Sequence, residues 1–131
     1  IIKVRNDVPD APVLVTAGGL LHYFEENKVI SLLRMIGQSG NMEVVFDTVN
    51  KKGMAMMQKK YMKQVGHADA QMFFYVDAAK ELAAKIRGNV KVIAEEPYYR
   101  YIPKNGLKLS TKVSMAVSDQ FKMVKMIHLK L

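Results

Sequence analysis

Three short apolar runs alternate along the chain with segments of helical period, and this alternation restricts the fold more than any other feature. The runs are Val13-Leu14-Val15-Thr16-Ala17, Met42-Glu43-Val44-Val45-Phe46-Asp47 and Val90-Lys91-Val92-Ile93-Ala94. The first enters after Pro9 and Pro12 and closes on Gly18-Gly19. Short unbroken apolarity over β-branched residues reads as a strand buried on both faces, as in a parallel sheet covered by helices. After it, Val29, Leu32, Leu33 and Ile36 recur at i, i+3, i+4 and i+7. That spacing predicts a helix, with Glu25 and Glu26 at its positive pole and Gly37 as a left-handed stop.

The second run is followed by a Met-rich helix from about Lys51 to Val65, interrupted by Gly66-His67. A further helix is expected from about Asp77 to Ile86, with Ala78, Ala79, Leu82, Ala83 and Ile86 inward and Gly88-Asn89 as its stop. The third run ends at Glu95-Glu96-Pro97, and Pro103-Lys104-Asn105-Gly106 is a turn signal. Ser110 is read as the cap of a short helix carrying Val113, Ala116 and Val117, and Met123 to Leu131 as a final strand. This order predicts an α/β protein on a mostly parallel sheet, in a single domain over 1–131.

The 131 residues are 50% apolar and 24% charged, the balance of a globular domain, and contain no cysteine. Disulfides, thiolate zinc and a Cys nucleophile are thereby excluded, which fits a reducing compartment such as the cytoplasm. No apolar run approaches the roughly 18 residues of a membrane span, and the charged start is too short for a signal peptide, so no membrane partner is expected. The first methionine is Met35, so Ile1 reads as the start of a trimmed or truncated chain. The net charge of +8 invites a nucleic-acid reading. Lysine is nevertheless spread along the chain, and the local cluster Lys51, Lys52, Lys59, Lys60 and Lys63 shares its segment with Met54, Met57, Tyr61 and Met62. That mixture reads as an amphipathic helix with a solvated basic face.

Ligands of open α/β sheets gather beyond the carboxyl ends of the parallel strands. The loops there hold Gly18-Gly19-Leu20-Leu21-His22-Tyr23, Asp47-Thr48-Val49-Asn50 and Glu95-Glu96-Pro97-Tyr98-Tyr99. Neither glycine-rich phosphate signature occurs. Gly18-Gly19 either turns the chain or admits a ligand to the backbone. Asp47, closing an apolar strand at that edge, is a candidate acceptor for hydroxyl or amine donors. His22, His67 and His128 lack metal-ligand spacing and read as structural or exposed, so no metal is expected. Tyr98, Tyr99 and Tyr101 either stack on a substrate or pack beside the third strand.

Taken together, Pro12 through Phe24, the helix to Ile36 and Glu43-Val44-Val45-Phe46-Asp47 resemble the second half of an S-adenosylmethionine-dependent methyltransferase. The similarity is to polyketide O-methyltransferases of the tetracenomycin type, related to leucine carboxyl methyltransferases. In them a strand ends in a motif like Ala-Glu-Gly-Leu-Leu-x-Tyr, and the next strand ends Phe-Asp. Residues 12–47 carry the resemblance; from Lys51 onward it rests on element order.

The resemblance implies the carboxyl-terminal portion of a Rossmann-like sheet, with the strand at 123–131 antiparallel and inserted between those at 42–47 and 90–95. It implies S-adenosylmethionine as cofactor, a small-molecule methyl acceptor, and methyl transfer to a hydroxyl or carboxyl oxygen. Carried over residue by residue, Ala17, Gly19, Leu20 and Tyr23 border the cofactor or the methyl acceptor, with Gly18 in the same cofactor loop, while His22 and Asp47 face the acceptor side and His22 is the candidate general base. Tyr98 is a candidate substrate contact by its place after the third strand, not by the carry-over. One position departs: Gly18 stands where the family has Glu, which removes a carboxylate from the cofactor side. The family's glycine-rich loop and ribose-binding acid belong to a half not represented here, so weak or no cofactor binding is expected of this chain alone. An open edge at 13–17 is also expected, covered by a homodimer or by Ile1 to Val4 folded back as a strand. The alternative is a non-enzymatic basic module that binds nucleic acid or a protein through Lys51 to Lys63.

Overall fold

The computed structural model describes residues 2–65 and 71–131, with Ile2 and residues 61–65 described by backbone alone. His67 and the interruption at Gly66-His67, like the side chains of Tyr61, Met62 and Lys63, lie outside the described residues. Helix α1 (Ile2–Asp7) leads into strand β1 (Val13–Ala17), a 3-10 turn at Leu21–Tyr23 and helix α2 (Glu26–Gln38). Strand β2 (Met42–Val49) is followed by helices α3 (Lys51–Val65) and α4 (Ala79–Ile86). Strand β3 (Lys91–Pro97), helix α5 (Leu109–Gln120) and strand β4 (Val124–Lys130) complete the order.

The strands form one sheet in the order β1-β2-β4-β3. β1 and β2 are parallel, and β4 runs antiparallel to both β2 and β3. The inserted antiparallel last strand expected from the resemblance is therefore present, an arrangement compatible with part of a Rossmann-like fold. Register sets the core: Val44 and Phe46 lie opposite Leu129 and Ile127, and Val15 and Ala17 opposite Val44 and Phe46. These side chains meet Val29, Leu33 and Ile36 of α2 and Ala79, Leu82 and Ile86 of α4. Each such fully buried aliphatic or aromatic side chain contributes about 1.5–3 kcal/mol. Arg34 ties the two helices by donating to the carbonyls of Ile86 (2.8 Å) and Lys85 (2.6 Å) at the end of α4.

Burial of β1 differs from the expectation for a doubly covered strand. Val13, Val15 and Ala17 face the helices, whereas Leu14 is 54% exposed and Thr16 is exposed too. β1 is an outer strand with no strand beyond it among the described residues, and Val4 and Arg5 of α1 line a hollow beside it with Val13, Leu14 and Val15. Residues 2–7 are helical, so they supply no replacement strand. Instead the Arg5 guanidinium donates to the carbonyls of Ala11 (2.7 Å), Pro9 (3.1 Å) and Gly40, holding α1 against the turns that enter β1 and β2.

Two helix boundaries also differ. α2 continues through Gly37 to Gln38, and the left-handed stop is Gly40 at φ +73°. Gly37 serves packing: a Cβ there would stand 3.2 Å from the Leu131 Cβ. α5 begins at Leu109 after Lys108, which places Ser110 inside the first turn instead of at the cap. α3 has a side-chain cap, because Asn50 Oδ1 accepts the Gly53 N–H at 2.7 Å. Its neighbouring lysines 51, 52, 59 and 60 are exposed while Met54 is buried against Val49, as its periodicity predicts. Among the described residues no helix is long and apolar enough to cross a membrane.

Candidate functional site

The β1–β2 register brings Ala17 opposite Phe46, so the next residues, Gly18-Gly19 and Asp47, meet at the carboxyl edge of the sheet. Gly19 has φ +61°, a left-handed conformation that suits glycine, and its N–H donates to Asp47 Oδ1 at 2.7 Å. The pair closes the turn between strand and helix. No neighbouring atom would touch a Cβ built at Gly18, so the backbone there faces open space.

The following residues divide between core and surface. Leu21 and His22 are buried within the 3-10 turn, whereas Leu20, Tyr23 and Phe24 are exposed around it. The His22 ring leans on Tyr23 with centroids 4.3 Å apart. Burial holds the His22 imidazole below its ordinary pKa of 6.5, and the negative charge of Asp47 opposes part of that shift. A neutral imidazole beside a carboxylate can accept a proton and gain attraction on doing so.

Residues 72–76 form a wall that the sequence reading missed. The His22 carbonyl accepts the N–H groups of Phe73 (2.8 Å) and Phe74 (3.3 Å), and Val76 N–H donates to the Val49 carbonyl (2.9 Å). Met72, Phe74 and Val76 are buried while Phe73 and Tyr75 are exposed. That period-2 alternation, Met72-Phe73-Phe74-Tyr75-Val76, was the available signal. Phe73 and Tyr75 face a cleft of about 280 Å³ whose charged walls include Glu26, Asp77, Glu81 and Lys85. Lys85 bridges to Glu26 at 2.9 Å, and Asp77 Oδ1 accepts the Lys51 N–H at 2.9 Å.

Tyr98 stands apart from this group. Its N–H donates to the Val124 carbonyl at 3.0 Å and its ring meets Tyr99 edge-on at 5.1 Å. β2 and β4 separate β3 from β1, a distance of about 14 Å at three interstrand spacings. Tyr98 and the glycine loop therefore share one sheet edge at opposite ends. Tyr101 lies under the Arg100 guanidinium at 5.4 Å. His128 pairs with Glu43 at 3.0 Å, and among the described residues no three His, Cys, Asp or Glu side chains group as a metal site.

The most deeply buried charge among the described residues was also missed. Lys125 is 1% exposed, and its Nζ donates to the Asp77 carbonyl at 2.8 Å and to Glu95 Oε1 at 3.2 Å. The second oxygen of Glu95 accepts the Ala79 N–H at 2.6 Å, at the start of α4. One ion pair thus joins β4, β3, α4 and the end of the 72–76 wall. Lys125 alternates with Ile127 and Leu129, a pattern that places it on their face.

No protein-family model matches the chain, and no curated protein matches it. Among solved structures, the chain is similar to a DUF574 family protein from Streptomyces avermitilis, with TM-score 0.58 and 10% identity. The match covers 95% of this chain and 49% of that one, so the chain spans about half the length of the structure it matches. At this identity the likeness shows the fold alone.

Proposed function

We propose that this chain forms the carboxyl-terminal half of an S-adenosylmethionine-dependent O-methyltransferase acting on a hydroxyl or carboxyl oxygen of a small molecule such as a polyketide. One observation carries the reading: antiparallel β4 is inserted between β2 and β3, in a sheet where the glycine loop after β1 bonds to Asp47 near the carboxyl end of β2. A fold hosts many activities, and the residues of 12–47 narrow the choice.

The residues present fit such a cofactor as one wall of its site. The backbone at Gly18 faces open space, and Leu20 and Tyr23 expose apolar surface beside it. In this reading Ala17, Gly18, Gly19, Leu20 and Tyr23 border the cofactor, which when bound supplies an electrophilic methyl group on sulfur. The Gly19 N–H is already engaged by Asp47, and Gly18 brings no carboxylate, so affinity rests on shape and apolar contact. His22 is neutral because it is buried, and one of its ring nitrogens takes the proton from the acceptor hydroxyl. Asp47 fixes the loop and stabilises the imidazolium that forms. Tyr98 contacts only an acceptor long enough to span the edge. A second copy paired along the free edge of β1 is the partner we assign to the isolated chain.

Titration of the isotopically labelled chain with S-adenosylmethionine, followed by amide shifts, tests the reading. Weak saturation with shifts centred on residues 17–23 and 47 is expected. No shifts at millimolar cofactor, or shifts on α3 with salt-sensitive RNA instead, would favour the basic binding module.

A further inference from the structure

We propose that α5 is a docking ridge for an acidic amphipathic helix of another protein. The reading does not rest on methyl transfer. Met115 is buried, and at about 100° per residue Leu109, Val113 and Val117 cluster on the opposite side of the helix. Their exposures are 77%, 53% and 41%. A surface helix normally turns polar residues outward, so an aliphatic row opposite the packed side marks a contact surface.

The shoulders of the row define what fits. Ser110 and Ser114 flank one side of the row and Ala116 the other, all small, which leaves grooves for the side chains of a second helix. Lys112 lies beyond Ala116 on that other side, and Lys108 precedes the first turn as the N-cap residue. From Lys104 to Lys122 the chain carries Lys104, Lys108, Lys112 and Lys122 against Asp119 alone, and Asp119 is engaged by the Tyr99 N–H at 3.1 Å, while Arg100 is already paired with Glu96 at 2.7 Å. A second copy would set lysines against lysines, whereas glutamates beside a leucine row would meet Lys112 along the flank and Lys108 at the helix start while the aliphatic side chains interlock. A lipid surface would need a broader apolar face than a row bordered by serines provides.

The probe is a synthetic helix of about four turns, with leucines at i, i+4 and i+7 and glutamates on one flank, titrated into the labelled chain. Binding is expected with amide shifts on residues 108–118. It should weaken about tenfold when the glutamates become lysines, and equally in the double variant Leu109→Ser, Val113→Ser. Both positions are exposed, and an unchanged far-ultraviolet spectrum and Tm would show that the variant is folded. Four results overturn the proposal: no binding, equal binding of the lysine peptide or by the variant, flotation with phosphatidylserine vesicles in place of peptide binding, or self-association that the double variant abolishes.

Discussion

Replacing Lys125 by Met tests whether the buried ion pair is what locks α4 onto the sheet. Met keeps most of the volume but cannot donate, so the Asp77 carbonyl and Glu95 Oε1 each lose a charged partner at 2.8 and 3.2 Å. A hydrogen bond to a charged group contributes about 1.5–3 kcal/mol, and the end of ammonium burial offsets part of the loss. The net cost should be about 3 kcal/mol, near the lower end for breaking a buried pair. Glu95→Gln retains an acceptor for the Ala79 N–H yet leaves Lys125 without its counter-charge, at about 2 kcal/mol. Both changes break the same contact, so the double variant should cost at least about 1 kcal/mol less than the sum of the two. Urea unfolding followed by helical circular dichroism measures all four proteins at a common m-value. Lys125→Met should lower Tm by roughly 10 °C. Strictly additive single variants, or a Lys125→Met cost below about 1 kcal/mol, would refute the coupling.

Gly53→Ala improves helix propensity, yet the added Cβ would collide with the Met123 carbonyl oxygen, so a net loss of about 1–3 kcal/mol is expected in the same unfolding assay. His22 has a folded pKa below its unfolded value of 6.5, so the unfolded chain binds more protons in the interval between them. The corresponding stability is present above pH 6.5 and is lost as pH falls through the folded pKa; His22→Gln should flatten this part of a stability–pH curve, and an unchanged slope would count against burial as the cause. For the free edge of β1, sedimentation at some tens of micromolar should show a dimer that Leu14→Lys weakens. A single monomer boundary for the unaltered chain would reject edge pairing.

Periods of two and of 3.6 residues are local properties, and they were legible in the sequence: β1, β2, the helical stripes of α2 and α4, and the basic face of α3 all follow from near neighbours. The glycine loop and Asp47 were legible as candidates for the same reason, since both stand at the end of an apolar run, although β2 continues past Asp47 to Val49 by pairing with β4. The stop of α2 was misplaced because Gly37 and Gly40 look alike in sequence, and only Leu131, arriving from β4, distinguishes the packed glycine from the left-handed one. Two-sided burial of β1 also failed, since coverage is set by where other elements lie. Tertiary structure alone decided that Gly19 bonds to Asp47 across 28 residues and Lys125 to the Asp77 carbonyl across 48. It also decided that His22 is buried and that the aliphatic row of α5 faces solvent. Periodicity states that a helix has an apolar row; which row meets the sheet depends on the packing of strands distant in sequence, and no local pattern encodes that choice.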